Sequence, residues 1–180
     1  MHTVVQEPLP RDSLLATYRG GRHPELWEGY GDCFSLTLDR PVSLAAYVLA
    51  FYTSPLFRIE RFILRVLAAS PSSDDDLQQL MAGSRHTFAA WQVAARTETE
   101  LLMQDRYGRT RSWFRVTPQS SESTLLQFGS AVAAKRKANG PARMGTSFNL
   151  LLGFHRLYSR LLLRAARKQL LRASVSAGEL

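Results

Sequence analysis

A chain of 180 residues, 45% hydrophobic and 21% charged, is long enough to bury one core, and this ordinary composition excludes a disordered or fibrous class. A single cysteine, Cys33, excludes an internal disulfide framework and fits a reducing, cytoplasmic setting. The net charge of +8 is uneven: residues 1–122 carry 13 Lys/Arg against 14 Asp/Glu, and residues 123–180 carry 10 against Glu179 alone. Such a basic third is either a solvated face that keeps the chain soluble or a surface for an anionic partner.

Residues 1–31 read as an extension packed on the core. The start, MHTVVQEPLPRD, lacks a basic stretch followed by an apolar one, so no signal peptide is expected. Asp12 or Ser13 caps a short helix ending near Arg19, with Gly20-Gly21 as its stop. The loop RHPELWEGYGD then folds back through Trp27 and Tyr30. Cys33–Asp39 alternates, with Phe34, Leu36 and Leu38 on one face, which predicts a half-buried strand. A nucleophilic Cys33 would need a histidine and an electropositive pocket nearby; nothing local supplies them, so it reads as a small buried hydrophobe.

Pro41 sits near a first helical turn, where its missing N–H costs nothing. Val42–Tyr52 reads as a helix with Leu44, Tyr47, Val48 and Phe51 inward, broken at Ser54-Pro55. A second helix is expected from Leu56 or Phe57 to Ala69, burying Phe57, Ile59, Phe62, Ile63, Val66 and Leu67. Ser73 or Asp74 caps a short helix through Met81. Its three aspartates, Asp74 to Asp76, suit a helix N-terminus better than a calcium loop, which would need a glycine-turned 12-residue spacing.

Residues 85–132 read as an antiparallel meander. Its strands are Thr87–Arg96, Glu98–Asp105, Thr110–Thr117 and Thr124–Val132, with a glycine turn at Gly108. Cys33–Asp39 makes a fifth strand. KRKANGPARMGT (135–146) is a basic loop leading into a long helix, Phe148–Arg172. On that helix Leu151, Phe154, Tyr158, Leu161, Leu162 and Ala165 share one side. Leu152, Leu163, Ala166 and Leu170 widen the apolar arc beyond the ~100° of a surface helix, so the helix is expected to be the spine of the core. Arg156, Arg160, Arg164 and Arg167 form a separate stripe. No uncharged apolar run reaches the length a membrane-spanning helix needs, so none is expected.

Strand, two helices, meander and long helix give an α+β domain over residues 32–173, with 174–180 as a tail. From about residue 32 to 172 this order resembles the helix-grip fold of START-like lipid-binding, polyketide-cyclase and aromatase proteins. In that fold a curved sheet wraps a C-terminal helix around a cavity. RPVSLAAYVLAFYTSPLFRIERFILRVL (Arg40–Leu67) and LLGFHRLYSRLLLRAA (Leu151–Ala166) resemble an uncharacterised bacterial family, a domain of unknown function, which implies no particular activity.

No phosphate-binding glycine loop, Cys-x-x-Cys, His-Glu-x-x-His or Gly-x-Ser-x-Gly is present, so no cofactor or metal is expected. The candidate pocket residues are the rings Tyr47, Phe51, Tyr52, Trp91, Trp113 and Tyr158, with Phe128, and His155 on the apolar side of the long helix. Each ring also serves as plain core filling, and His155 as a hydrogen-bonded core histidine. Three functions are open. One is a module binding a small apolar or amphipathic ligand. Another is a cyclase- or hydrolase-like enzyme in the same cavity, with His155, Asp105 or an arginine polarising a carbonyl. The third is peripheral membrane or other anionic binding through Lys135–Lys137, Arg143 and the arginine stripe.

Overall fold

The structure, a computed structural model, describes residues 3–18, 30–59, 72–132 and 146–177, with the side chains of the last segment described from Leu157 to Ala173. In chain order the elements are β1 (Val5–Glu7), α1 (Leu14–Thr17), β2 (Tyr30–Leu38), α2 (Leu44–Tyr52), α3 (Asp74–Ala82), β3 (Thr87–Phe88), β4 (Trp91–Arg96), β5 (Glu100–Asp105), β6 (Thr110–Ser120), β7 (Ser123–Val132) and α4 (Thr146–Ala177). Residues 55–59 are also helical.

Local signals set most boundaries. Ser13, Ser43 and Ser73 cap α1, α2 and α3, each side-chain oxygen accepting from a backbone N–H of the first turn. Ser73 and Asp76 form a reciprocal capping box, and Gly83 closes α3 in the left-handed region. The aspartates therefore serve the helix end. Pro41 lies before α2 rather than in its first turn, because Ser43 takes the cap. The expected strand 87–96 is two strands: the chain turns at Ala89, whose φ is +51°. Three-residue β1 is too short to show a period in the sequence.

Seven strands form one antiparallel sheet in the order β1-β2-β7-β6-β5-β4-β3. β3 to β7 are a meander, and β2 reaches β7 only after the helices have been traversed. Register shifts at Val93/Ala95 and Pro118/Ser120 interrupt the ladders. With α2 and α4 on one face, the architecture is α+β and helix-grip-like.

Both faces of the sheet are covered. The inner face presents Phe34, Leu36, Leu101, Met103, Phe114, Leu126 and Phe128 to α2 and α4. The outer face carries Cys33, Leu102, Trp113 and Ala131, covered by Leu15 of α1. β2 is thus buried on both sides, not half-buried, because the N-terminal segment closes its outer side. Glu100 fastens that segment: its Oε2 accepts from Trp113 Nε1 at 2.6 Å and from the Leu14 N–H at 2.8 Å. Gly129 lets Trp113 lie flat there. A Cβ at that position would meet Trp113 Cε3 at 2.8 Å and Leu15 Cδ2 at 3.1 Å.

α4 packs on α2 and β2. Its buried residues are Ser159, Leu162, Leu163, Ala166 and Leu170, spaced as one helical face. Leu161, expected on the apolar face, is 39% exposed, so the buried arc is centred on Leu162 and Leu163. Ile59 is likewise exposed, while Phe57 is buried. Leu161, Leu162 and Leu163 are consecutive, and the contacts of the helix with α2 and β2 cover the latter two. Arg160 and Arg164 face solvent; Arg160 lies 5.4 Å over the Phe34 ring, and Arg167 is half-buried. Arg40 Nη1 donates to the Leu170 carbonyl at 2.9 Å, tying the far end of α4 to the loop before α2. The side chains of Leu151, Leu152, Phe154 and Arg156, the helix beyond residue 59 and the loop 135–145 lie outside the described residues, as do Trp27 and Gly20-Gly21.

Leu163→Ala should lower stability by about 2–5 kcal/mol through lost burial and a residual cavity, and Leu161→Ala by less than about 1 kcal/mol. Urea denaturation reads both; equal losses would contradict the orientation of α4 described here.

Candidate functional site

α2 carries a cluster of rings into the space between sheet and long helix. Phe51 stands 4.8 Å from Phe114 and 4.8 Å from Phe128, centroid to centroid. Tyr52 stands 4.6 Å from Phe57 and 5.1 Å from Phe88. These offset and edge contacts fix the rings as rigid blocks. They do not fill the layer completely.

Beside them lies a cavity of about 250 Å³. Phe51, Tyr52 and Phe57 border it from the α2 side, Trp91 and Phe128 from the sheet, and Tyr158 and Leu162 from α4. Five of the lining residues carry hydroxyl side chains: Thr110 and Ser112 from β6, Ser130 from β7, Tyr158 and Ser159 from α4. The ladder aligns Asp32, Ser130 and Ser112 across β2, β7 and β6. Ser130 Oγ donates to Asp32 Oδ1, a buried carboxylate beside it on the same face of the sheet. Arg111 borders the cavity only from its strand position. Its guanidinium lies on the other face, 4.7 Å from the Tyr18 ring and bonded to the Tyr18 carbonyl.

Five of the eight expected pocket residues meet here: Phe51, Tyr52, Trp91, Phe128 and Tyr158. Tyr47 is inside the core instead, edge-on to Phe114 at 5.7 Å, with its hydroxyl donating to the Gln127 carbonyl at 3.3 Å. Burial pushes its phenol well above the usual range, so it stays neutral and structural. Trp113 is on the opposite face of the sheet, under α1. His155 belongs to α4, but its side chain lies outside the described residues. Asp105 accepts from the Arg109 N–H at 2.7 Å and so closes the β5–β6 turn. The hydroxyl row and Asp32 escaped the sequence reading because scattered serines and one aspartate acquire a common face only once the β2–β7–β6 register is known. Among the described residues, no three His, Cys, Asp or Glu side chains gather as a metal site would need, and no helix is long and apolar enough to cross a membrane.

No protein-family model and no curated protein matches this chain. Among solved structures, CalU16 from Micromonospora echinospora aligns at 10% identity over 97% of this chain and 96% of that one, with a TM-score of 0.32. The fold assignment rests on the strand order and on the placement of α2 and α4.

Cys33 is fully buried on the outer face, its thiol facing Glu7 at 3.9 Å. Burial, then the nearby carboxylates Glu7 and Asp32, push its pKa up to about 12. The folded state therefore holds the proton more tightly than the unfolded chain, whose thiol ionises near its ordinary value of 9.0. That stabilisation is fully present below pH 9 and is lost as pH rises toward 12. A melting series from pH 8 to 11 should show a steeper fall in Tm for the wild type than for Cys33→Ala above pH 9. Parallel curves would mean that the thiol is not held neutral by the fold.

Proposed function

We propose that residues 32–173 form a binding domain for a small apolar or amphipathic ligand, held between the sheet and α4, with residues 1–31 as an extension that closes the outer face. The observation that carries this reading is the cavity: about 250 Å³, lined by aromatic rings and by residues with hydroxyl side chains. An apolar cavity of ~150 Å³ accepts benzene, so this one suits a ligand of one or two rings rather than a four-ring sterol. Trp91 leaves its indole nitrogen buried without a hydrogen-bond partner among the described residues. An unsatisfied donor costs about 1–3 kcal/mol, which an oxygen acceptor beside the ring would offset.

A cyclase- or hydrolase-like enzyme is the second reading. It draws on Asp32, a potential proton acceptor hydrogen-bonded to a serine in the cavity wall.

A thermal-shift series of one- and two-ring aromatics tests the binding reading. A ligand at a hundredfold excess over its Kd stabilises the fold by about 2.7 kcal/mol, enough to raise Tm by several degrees. Tyr158→Trp should fill the space and reduce the shift. No shift with any of these compounds would leave the cavity as a packing defect.

A further inference from the structure

We infer that the outer face of α4 docks the protein on an anionic lipid bilayer, with the helix lying along the membrane surface. The inference stands apart from the cavity and its ligand.

The described side chains of α4 divide into two opposite arcs. Ser159, Leu162, Leu163, Ala166 and Leu170 are buried against the rest of the fold. Opposite them, Leu157, Leu161 and Leu171 are 55%, 39% and 38% exposed. Arg160, Arg164, Lys168 and Arg172 are exposed between these leucines. At 3.6 residues per turn and 1.5 Å per residue, the outer set spans an arc of about 120° and a length of about 22 Å.

The four cations keep their charge at the surface. Glu179 is the only Asp or Glu after residue 122. Among the described residues, Arg58, Arg85 and Arg115 form ion pairs, whereas Arg164, Lys168 and Arg172 have no acidic partner. Arg160 leans over the Phe34 ring and reaches only a neutral amide, Gln6 Oε1, at 3.4 Å.

Charge complementarity therefore selects an anionic occupant. A second copy meeting this face with its own would oppose four cations with four. The leucines favour lipid over nucleic acid. Phosphate backbones are gripped by cations and polar groups, and bases by aromatic rings, so leucines there would gain little. A helix at a bilayer interface uses both classes, cations at the headgroup phosphates and leucines at the acyl boundary. A fluid bilayer also meets a convex helix face without a preformed groove. The buried arc stays on α2 and β2, so docking needs no unfolding.

Co-sedimentation of the full chain with vesicles tests this, using phosphatidylcholine alone or with about a third phosphatidylserine, at ~0.1 M and ~0.5 M salt. Binding should require phosphatidylserine and weaken at least tenfold at the higher salt. Arg164→Glu with Lys168→Glu should weaken it at least tenfold at the lower salt. Arg106→Glu with Arg109→Glu makes the same charge change at exposed positions of the β5–β6 turn and should leave it within twofold. Leu157→Ala with Leu161→Ala changes no charge and should weaken vesicle binding severalfold. Circular dichroism melting checks that each variant is folded; if the α4 reversal is not, Arg164→Gln with Lys168→Gln replaces it, with a loss of at least threefold. Absence of binding to anionic vesicles, equal losses in the α4 and turn variants, no loss in the leucine variant, or tighter binding to duplex DNA at equal phosphate concentration overturns the inference.

Discussion

The structure depends on how one short helix meets two partners at once. α2 must cover the inner face of β6 and β7 while supporting α4 on its other side. It does so with Tyr47, Phe51 and Tyr52, which are large and rigid and cannot collapse as leucines would. Phe51 wedges against Phe114 and Phe128, so α4 is carried on α2 and β2 rather than lying flat on the meander. A close-packed interior leaves few voids larger than a water molecule. The space of about 250 Å³ beside this ring cluster is bordered by the sheet, α2 and α4.

The outer face has a different logic. A sheet of this kind can leave one face to water. Here Trp113 and Cys33 occupy that face and need a cover, which α1 provides. Glu100 binds both the indole of Trp113 and the first N–H of α1, and Arg115 bridges from Glu100 to Asp12. Two adjacent lock points hold a four-residue helix that could not persist alone. The result is a sheet stiffened from behind, so that the cavity wall on its inner side is firmly backed. A binding site gains affinity from walls that do not have to be ordered when the ligand arrives.

Much of the fold was legible from pattern. Alternation at Phe34, Leu36 and Leu38 fixed the inner face of β2, Gly108 marked the β5–β6 turn, and Ser73 with its aspartates marked a capped helix. What pattern could not settle was orientation where the signal has no unique direction. Leu161, Leu162 and Leu163 are consecutive, so periodicity alone cannot say which is covered. Ile59 and Phe57 pose the same question over a short stretch. Of the candidate pocket rings, Phe51, Tyr52, Trp91, Phe128 and Tyr158 border one space. The sequence could not separate Trp113 from them, because Trp113 and Phe114 are consecutive rings on one strand, and alternation alone does not say which of the two faces the helices. Asp32 and Ser130 are 98 positions apart. Only the β2–β7 ladder makes them a pair.

The layer between the sheet and α4 holds an unfilled space lined by aromatic rings. A crystal of the protein pressurised with xenon tests it most directly, since xenon enters dry apolar cavities without needing a specific contact. A xenon site bounded by Phe51, Tyr52, Trp91, Phe128 and Leu162 is expected, with those side chains unmoved. A crystal structure in which side chains close this space, with no xenon site there, would contradict it.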